Sequence, residues 1–256
     1  MENKKYILTD ETMEFNGHIL HRIKAIKDFG AVKKDELGGW IESEYNLSQK
    51  DECWVRNEAK VYENAKVFYD AWVCNEALVH GHARIYDRAR IHDYVEIFGN
   101  AEISGNADIY HSVKVYGYAE VKGNAKIGFS AKIYDYAEIF GNVRIGGNAE
   151  IYEDATLCDN VAVYDKARIS GSVIVSGRAE IGGDVEIRLD KDYAVYKNSW
   201  SSGRYFTWTR SNNMWKVGCF YGSGEELIKK AYKDSEKSGK SYEIIVKTQE
   251  ALSNVK

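Results

Sequence analysis

The 256-residue chain has no proline and only four cysteines, and both absences restrict what it can be. Cys53, Cys74, Cys158 and Cys219 are far apart and form no CxxC pair, so the usual zinc and dithiol motifs are absent and no metal site is expected. No apolar run approaches the roughly 18 residues of a membrane helix, and "MENKKYILTDE" lacks the apolar centre of a signal peptide. We therefore expect a cytoplasmic protein with reduced thiols and no membrane partner.

Common catalytic and nucleotide-binding motifs are also missing. There is no Walker loop, no GxGxxG at a junction between strand and helix, and no spacing that supports a Ser–His–Asp or Cys–His arrangement. The formal net charge is −4, although residues 188–256 carry 13 basic and 8 acidic side chains. Neither excess is large enough to predict a nucleic-acid partner from charge alone.

What the sequence has instead is a six-residue repeat, visible in "AEIFGNVRIGGNAEIYEDA" at 137–155. From Cys53 to Ile187, 23 units begin with 16 Ala, 6 Val and one Cys; the third position is always aliphatic, and the fifth is Gly, Asp or Asn in 17 of 23. In a short strand the side chains alternate, so those at positions one and three point into the interior and those at positions two and four point outward. The chain turns at the fifth position. Such units stack as parallel strands, so the sequence predicts a mostly β solenoid.

The repeat divides the chain into three predicted regions. Residues 1–52 are expected to form a hairpin, with its turn at Asn16–Gly17, and an imperfect capping coil. Residues 53–187 form the solenoid, and residues 188–256 a small α+β domain. In that domain we predict three aromatic-rich strands, a helix capped by Ser223 and closed by Gly239, and a final strand in "SYEIIVKTQ".

The six-residue pattern resembles the hexapeptide-repeat parallel β-helix, in which three units form one triangular coil. The run from residue 4 to about 73, centred on "LGGWIESEYNLSQ", resembles the N-terminal region of YdcK-like hexapeptide-repeat proteins. The resemblance implies a left-handed coil, which the six-residue period itself does not fix. It also implies a bacterial protein that is often carried by phages and prophages, in a family whose members are commonly labelled acyltransferases.

Folding the repeat at three units per coil gathers aromatic residues on one side. The fourth positions of one face would stack about 4.8 Å apart as a column of rings: Tyr62, His80, Phe98, Tyr116, Tyr134 and Tyr152. Stacked rings stabilise a sheet, but their concentration on one face favours an interaction surface. Its expected partner is a protein or nucleoprotein, or a second copy of the chain in a homo-oligomer.

A second candidate surface lies in the C-terminal region. It interleaves basic and aromatic residues, as surfaces that stack single-stranded nucleic acid do: Arg204, Trp208, Arg210, Trp215 and Lys216. Strand alternation would place Trp208 and Arg210 on one side of the sheet. The same aromatic residues could equally form the core of a small domain.

The resemblance also raises an enzyme hypothesis, acyl transfer from acetyl-CoA with His80, His82 or His92 as the general base. Against it, 23 units run without an inserted loop to build a pocket, and His80 and His92 fall on different faces. We therefore predict a non-catalytic interaction protein without a cofactor, for which the phage association implies inhibition of a host defence component. The alternatives are the acyltransferase and a purely structural, self-assembling solenoid.

Overall fold

The computed structural model describes residues 4–254 and consists mostly of short β-strands. The first three strands are β1 (Tyr6–Phe15), β2 (His18–Ala25) and β3 (Leu37–Ile41). They are followed at six-residue intervals by 23 strands of two residues each: β4 (Trp54–Val55), β5 (Lys60–Val61), β6 (Lys66–Val67), β7 (Trp72–Val73), β8 (Leu78–Val79), β9 (Arg84–Ile85), β10 (Arg90–Ile91), β11 (Glu96–Ile97), β12 (Glu102–Ile103), β13 (Asp108–Ile109), β14 (Lys114–Val115), β15 (Glu120–Val121), β16 (Lys126–Ile127), β17 (Lys132–Ile133), β18 (Glu138–Ile139), β19 (Arg144–Ile145), β20 (Glu150–Ile151), β21 (Thr156–Leu157), β22 (Ala162–Val163), β23 (Arg168–Ile169), β24 (Ile174–Val175), β25 (Glu180–Ile181) and β26 (Glu186–Ile187).

The predicted repeat chemistry is confirmed. Every first and third position between Cys53 and Ile187 is at most 3% exposed, and together these side chains form one continuous core. Every fifth position from Asn57 to Gly183 has a positive φ, which Gly, Asn and Asp adopt at least cost. Leu189, the next fifth position, has a φ of −134°, and there the solenoid ends.

The short strands assemble into three parallel sheets, and each strand pairs with the strand three units further along the chain. The first sheet contains β5, β8, β11, β14, β17, β20, β23 and β26 and is extended at one edge by β3, β2 and β1. We call its outer surface the ladder face. The sheet from β4 to β25 forms the second face and the sheet from β6 to β24 the third. With eight strands in the second face, one per coil, the solenoid has about eight turns.

The N-terminal hairpin covers the open edge of the first coil. Asn16 and Gly17 have φ of 51° and 83° between β1 and β2, so the predicted turn is confirmed. Strand β3 then pairs antiparallel with β2 and parallel with β5, which joins the hairpin to the first sheet. This edge therefore ends in an antiparallel ribbon rather than an unpaired parallel strand.

The C-terminal region is an α+β unit, as predicted, but its elements differ. It has four antiparallel strands, β27 (Tyr193–Lys197), β28 (Tyr205–Thr209), β29 (Met214–Val217) and β30 (Phe220–Gly222). Two helices follow, α1 (Gly224–Asp234) and α2 (Glu236–Ser253). Within residues 4–254, neither of them is long and apolar enough to cross a membrane.

The predicted last strand and the predicted helix end at Gly239 are wrong. Helix α1 begins at its predicted cap, Ser223, whose hydroxyl accepts from the backbone N–H of Glu226. Ser235 then ends α1 and caps α2, accepting from the N–H of Ser238. Gly239 lies inside α2 where the helices cross, and a Cβ there would clash with the ring of Tyr232.

The C-terminal unit closes the other end of the solenoid with side-chain acceptors. Thr207 Oγ1 accepts from the N–H of Glu180 at 2.9 Å, and Ser211 Oγ accepts from the N–H of Glu186 at 2.9 Å. The Tyr193 hydroxyl accepts from the N–H of Ser176 at 3.4 Å. These backbone donors would meet a further coil if the repeat continued, and here they are satisfied by the cap.

Candidate interaction surface

The predicted column of rings is present on the ladder face. From Tyr62 to Tyr152 the five successive centroid distances are 5.0, 5.2, 4.8, 5.0 and 5.0 Å, and neighbouring planes lie within 7° of parallel. Tyr62 is only 3% exposed, because it packs against Phe15, Leu20 and Trp40 below the hairpin. The other five rings are half-buried, so the accessible column begins at His80.

The column ends at Tyr152. The guanidinium of Arg168 lies 5.6 Å from that ring's centroid, and its Nη2 donates to the Tyr152 hydroxyl at 3.2 Å. The next fourth position, Ser170, is a small buried side chain. The accessible rings therefore form a strip of fixed length, which runs from His80 to Tyr152 in four steps of between 4.8 Å and 5.2 Å.

The charged residues beside the rings are paired with one another across coils. Lys114 Nζ lies 2.6 Å from Glu96, and Lys132 Nζ lies 3.0 Å from Glu150. Arg168 Nε is 3.6 Å from the same Glu150. Because these charges already have partners, the strip combines apolar rings with a charge-balanced border.

Exposed rings at the two adjoining corners widen the aromatic surface. Tyr118 and Tyr136 are 55% and 59% exposed and stack on each other at 5.1 Å. At the opposite corner Tyr94 and Phe129 are 65% and 57% exposed. These rings lie outside the predicted column of fourth positions, although Tyr118 and Tyr136 occupy equivalent sixth positions three units apart in the sequence.

Burial raises the pKa of Tyr134 to about 12, and the Glu150 carboxylate and the neighbouring tyrosines Tyr116 and Tyr152 contribute. Burial likewise raises the pKa of Tyr116. These hydroxyls therefore stay protonated at neutral pH and can donate hydrogen bonds along the strip.

The candidate histidines are not brought together. His80 lies between the rings of Tyr62 and Phe98, with Nε2 3.5 Å from Glu96. His92 is on the second face, as predicted, with Nε2 3.2 Å from Asp108, and His82 is exposed at a corner. Within residues 4–254, no group of three or more His, Cys, Asp or Glu side chains is arranged to hold a metal ion.

Two of the C-terminal candidates cannot serve as a stacking platform. Trp208 and Trp215 are each 1% exposed and face each other in the core between the sheet and the helices. Thr207 and Thr209, on the other side of β28, are buried as well, because the end of the solenoid covers that side. The alternative prediction, that these tryptophans form the core of the small domain, is confirmed, and the nucleic-acid surface is wrong for both. Alternation within a strand does not show that both sides of its sheet are covered.

The three basic candidates of this region are separated. Arg210 Nε donates to the carbonyl of Lys191 at 3.2 Å and lies 3.8 Å from Asp192, so it anchors the loop before β27. Lys216 is half-buried on β29, opposite Tyr221. Arg204 is exposed just before β28 and lines a cavity against the second face.

Comparison with protein-family models and with curated proteins finds no match to this chain. The function is therefore inferred from the geometry of the surfaces described above.

Proposed function

We propose that the protein is a non-catalytic interaction protein whose ladder face binds a protein partner. The observation that carries this proposal is the continuous strip of stacked rings flanked on both sides by exposed aromatic residues. Large rigid rings bury much area at little cost in side-chain entropy, and such residues dominate binding energy at protein interfaces.

The arrangement suits a protein better than a nucleic acid. Lys114 and Lys132, which border the strip, are already paired with Glu96 and Glu150 and so are not free to bind a phosphate backbone. Tyrosine hydroxyls along the rings offer hydrogen bonds, while the paired charges form a polar border of the kind that surrounds interface cores. A nucleoprotein would therefore be recognised through its protein component.

Two finer statements follow from the resemblance to YdcK-like hexapeptide-repeat proteins. It supports a left-handed coil, which a crystal structure of the protein would test. It also supports a specific form of the function, a phage-encoded inhibitor that acts in the cytoplasm on a host defence component.

The test uses the full chain, a bacterial lysate and a double variant at the accessible corner, Tyr118→Ala with Tyr136→Ala. The matched control is Tyr69→Ala, an equally exposed ring at the corner between the third and second faces. We expect a stoichiometric protein partner, retained after nuclease treatment, to be lost with the double variant and kept by the control. Equal retention by both variants would refute the assignment of the ladder face.

Two further measurements separate the alternative functions. Light scattering measures the molar mass of the purified protein and so tests self-assembly. A dimer that dissociates in the double variant would show that the partner is a second copy of the chain. The acyltransferase alternative predicts that acetyl-CoA binds, which calorimetry measures. It also predicts that turnover is lost when His80 or His92 is replaced. Acetyl-CoA binding with such a loss would replace our proposal.

A further inference from the structure

A cavity of about 470 Å³ lies where the C-terminal unit meets the second face of the solenoid. Its floor comes from the solenoid, where Arg144, Ala162 and Glu180 are register neighbours on β19, β22 and β25. Its wall comes from the segment that leads into β28, including Gly203 and Arg204. Ala162 has the smallest side chain of the three and lies buried at the bottom of the cavity.

The lining is unusually rich in arginine. Arg144, Arg178 and Arg204 all border the cavity, whereas its one acidic residue is Glu180. The ring of Tyr205 holds Arg178 at 5.2 Å by a cation–π contact, and Lys197 lies 5.6 Å from the same ring. The cavity therefore carries a net positive charge that residues of the protein itself do not balance.

The three guanidinium groups are available to a ligand. Within residues 4–254, none of them forms an ion pair or a side-chain hydrogen bond. Most other arginines of the chain are bound to carboxylates, for example Arg22, Arg56, Arg84, Arg168, Arg188 and Arg210. Guanidinium groups bind phosphate oxygens in a planar, two-point geometry, so three of them around one space suit a phosphorylated ligand.

A second cavity of about 310 Å³ adjoins the first and shares Ser202 and Arg204 with it. Its lining includes the apolar or aromatic side chains of Phe220, Leu227 and Tyr242. Both volumes fall in the range of small-molecule sites. One ligand could therefore place phosphate groups among the arginines and an apolar or aromatic group beside Phe220.

We propose that this junction binds a phosphorylated small molecule, with Arg144, Arg178 and Arg204 holding its phosphate groups. The site is distinct from the ladder face, and the proposal does not depend on the function assigned there.

The experiment is calorimetric titration of the full chain with inorganic pyrophosphate and, separately, with ADP. Arg144→Gln, Arg178→Gln and Arg204→Gln should each weaken binding about tenfold or more, because each removes a charge-assisted contact. The matched control is Arg90→Gln, in the same column as Arg144 but three coils away, roughly 14 Å. It is also exposed and makes no ion pair in the described chain, so its replacement should leave binding unchanged.

The exposed thiol of Cys219, which lines the second cavity, reports which part of a ligand binds there. Protection from maleimide by ADP but not by pyrophosphate would support an organic phosphate as the ligand. Equal binding without protection would support a free oligophosphate in the same arginine site. The proposal is overturned if neither probe binds at millimolar concentration, if Arg90→Gln weakens binding as much as Arg144→Gln, or if a single-stranded oligonucleotide binds more tightly than ADP.

Discussion

Asp93 shows how a corner side chain joins one coil to the next, and its replacement should cost measurable stability. Asp93 is a fifth-position residue with a φ of 62°. Its Oδ2 accepts from the backbone N–H of His111 in the following coil at 3.0 Å, and its Oδ1 accepts from Asn75 Nδ2 at 2.9 Å. The same carboxylate-to-backbone bond recurs at other corners, for example between Asp165 and the N–H of Gly183.

Two substitutions separate the hydrogen bonds from the backbone conformation. Asp93→Gly keeps the freedom to adopt a positive φ and removes the acceptor. A hydrogen bond to a charged group contributes about 1.5–3 kcal/mol, and this side chain is 31% exposed, so we expect a loss of about 1–2 kcal/mol. Asp93→Ala also removes the acceptor, and in addition it holds a residue with a Cβ in the left-handed region with no hydrogen bond to offset that strain. We expect this strain to add about 1 kcal/mol to the loss of stability.

Thermal unfolding followed by circular dichroism measures both effects. At roughly 2–4 °C per kcal/mol for a chain of this size, Asp93→Gly should lower Tm by about 2–8 °C, and Asp93→Ala by more. The control is Asp154→Ala, an exposed corner residue without a hydrogen bond or ion pair among the described residues, which should change stability by less than about 0.5 kcal/mol. A wild-type Tm for Asp93→Gly, or a lower Tm for Asp93→Gly than for Asp93→Ala, would refute the reasoning.

The pH dependence gives a further check on the same residue. The His111 N–H lowers the pKa of Asp93, so the carboxylate stabilises the fold at pH values above its unfolded pKa. That contribution is lost as the pH falls through the lowered folded pKa. The Tm difference between wild type and Asp93→Gly should therefore shrink in acid.

Three other expectations can be measured separately. Because the pKa of Tyr134 is raised to about 12, its part of the stability is complete below pH 10 and is lost as the pH rises towards 12. Tyr134→Phe should lower the tyrosinate absorbance gained near pH 12 by the share of one tyrosine, and an unchanged titration would contradict this. In the native protein, Cys219 should react with a thiol reagent first and Cys53 last, because Cys53 is buried and burial raises the pKa of its thiol. Labelling of both at the same rate would contradict the fold at the first coil. Ile133→Ala should reduce the free energy of unfolding by about 2–5 kcal/mol in denaturant titrations through a cavity in the core, whereas a loss below about 1 kcal/mol would show that the coils relax around it.

The repeat could be predicted from sequence because positions one, three and five each accept only one kind of side chain. A small residue at position one, an aliphatic residue at position three and a turn-forming residue at position five determine the sheet faces, and a coil of three units then predicts which rings stack. The predicted and observed columns agree from Tyr62 to Tyr152. Contacts beyond the adjacent coil matter little here, since each coil touches mainly its neighbours.

The C-terminal region has no such period, and local patterns were ambiguous there. "SYEIIVKTQ" contains β-branched residues, yet Tyr242, Val246 and Gln249 recur at helical spacing and are all buried. The side of β28 that faces the solenoid could not be inferred, because it depends on where Thr207 meets the last coil. The arginine cavity was missed for the same reason: Arg144 and Arg204 come together only when the unit docks.

The caps at the two ends of the solenoid have a consequence for how the protein can assemble. A parallel solenoid with bare terminal coils could add further copies end to end, as strands do in a fibril. Here the hairpin occupies one edge, and the hydroxyls of Thr207 and Ser211 take up backbone donors at the other. These contacts disfavour end-to-end addition at the edge of the first sheet and at the last coil, so the sides of the prism are the surfaces through which we expect copies or partners to meet.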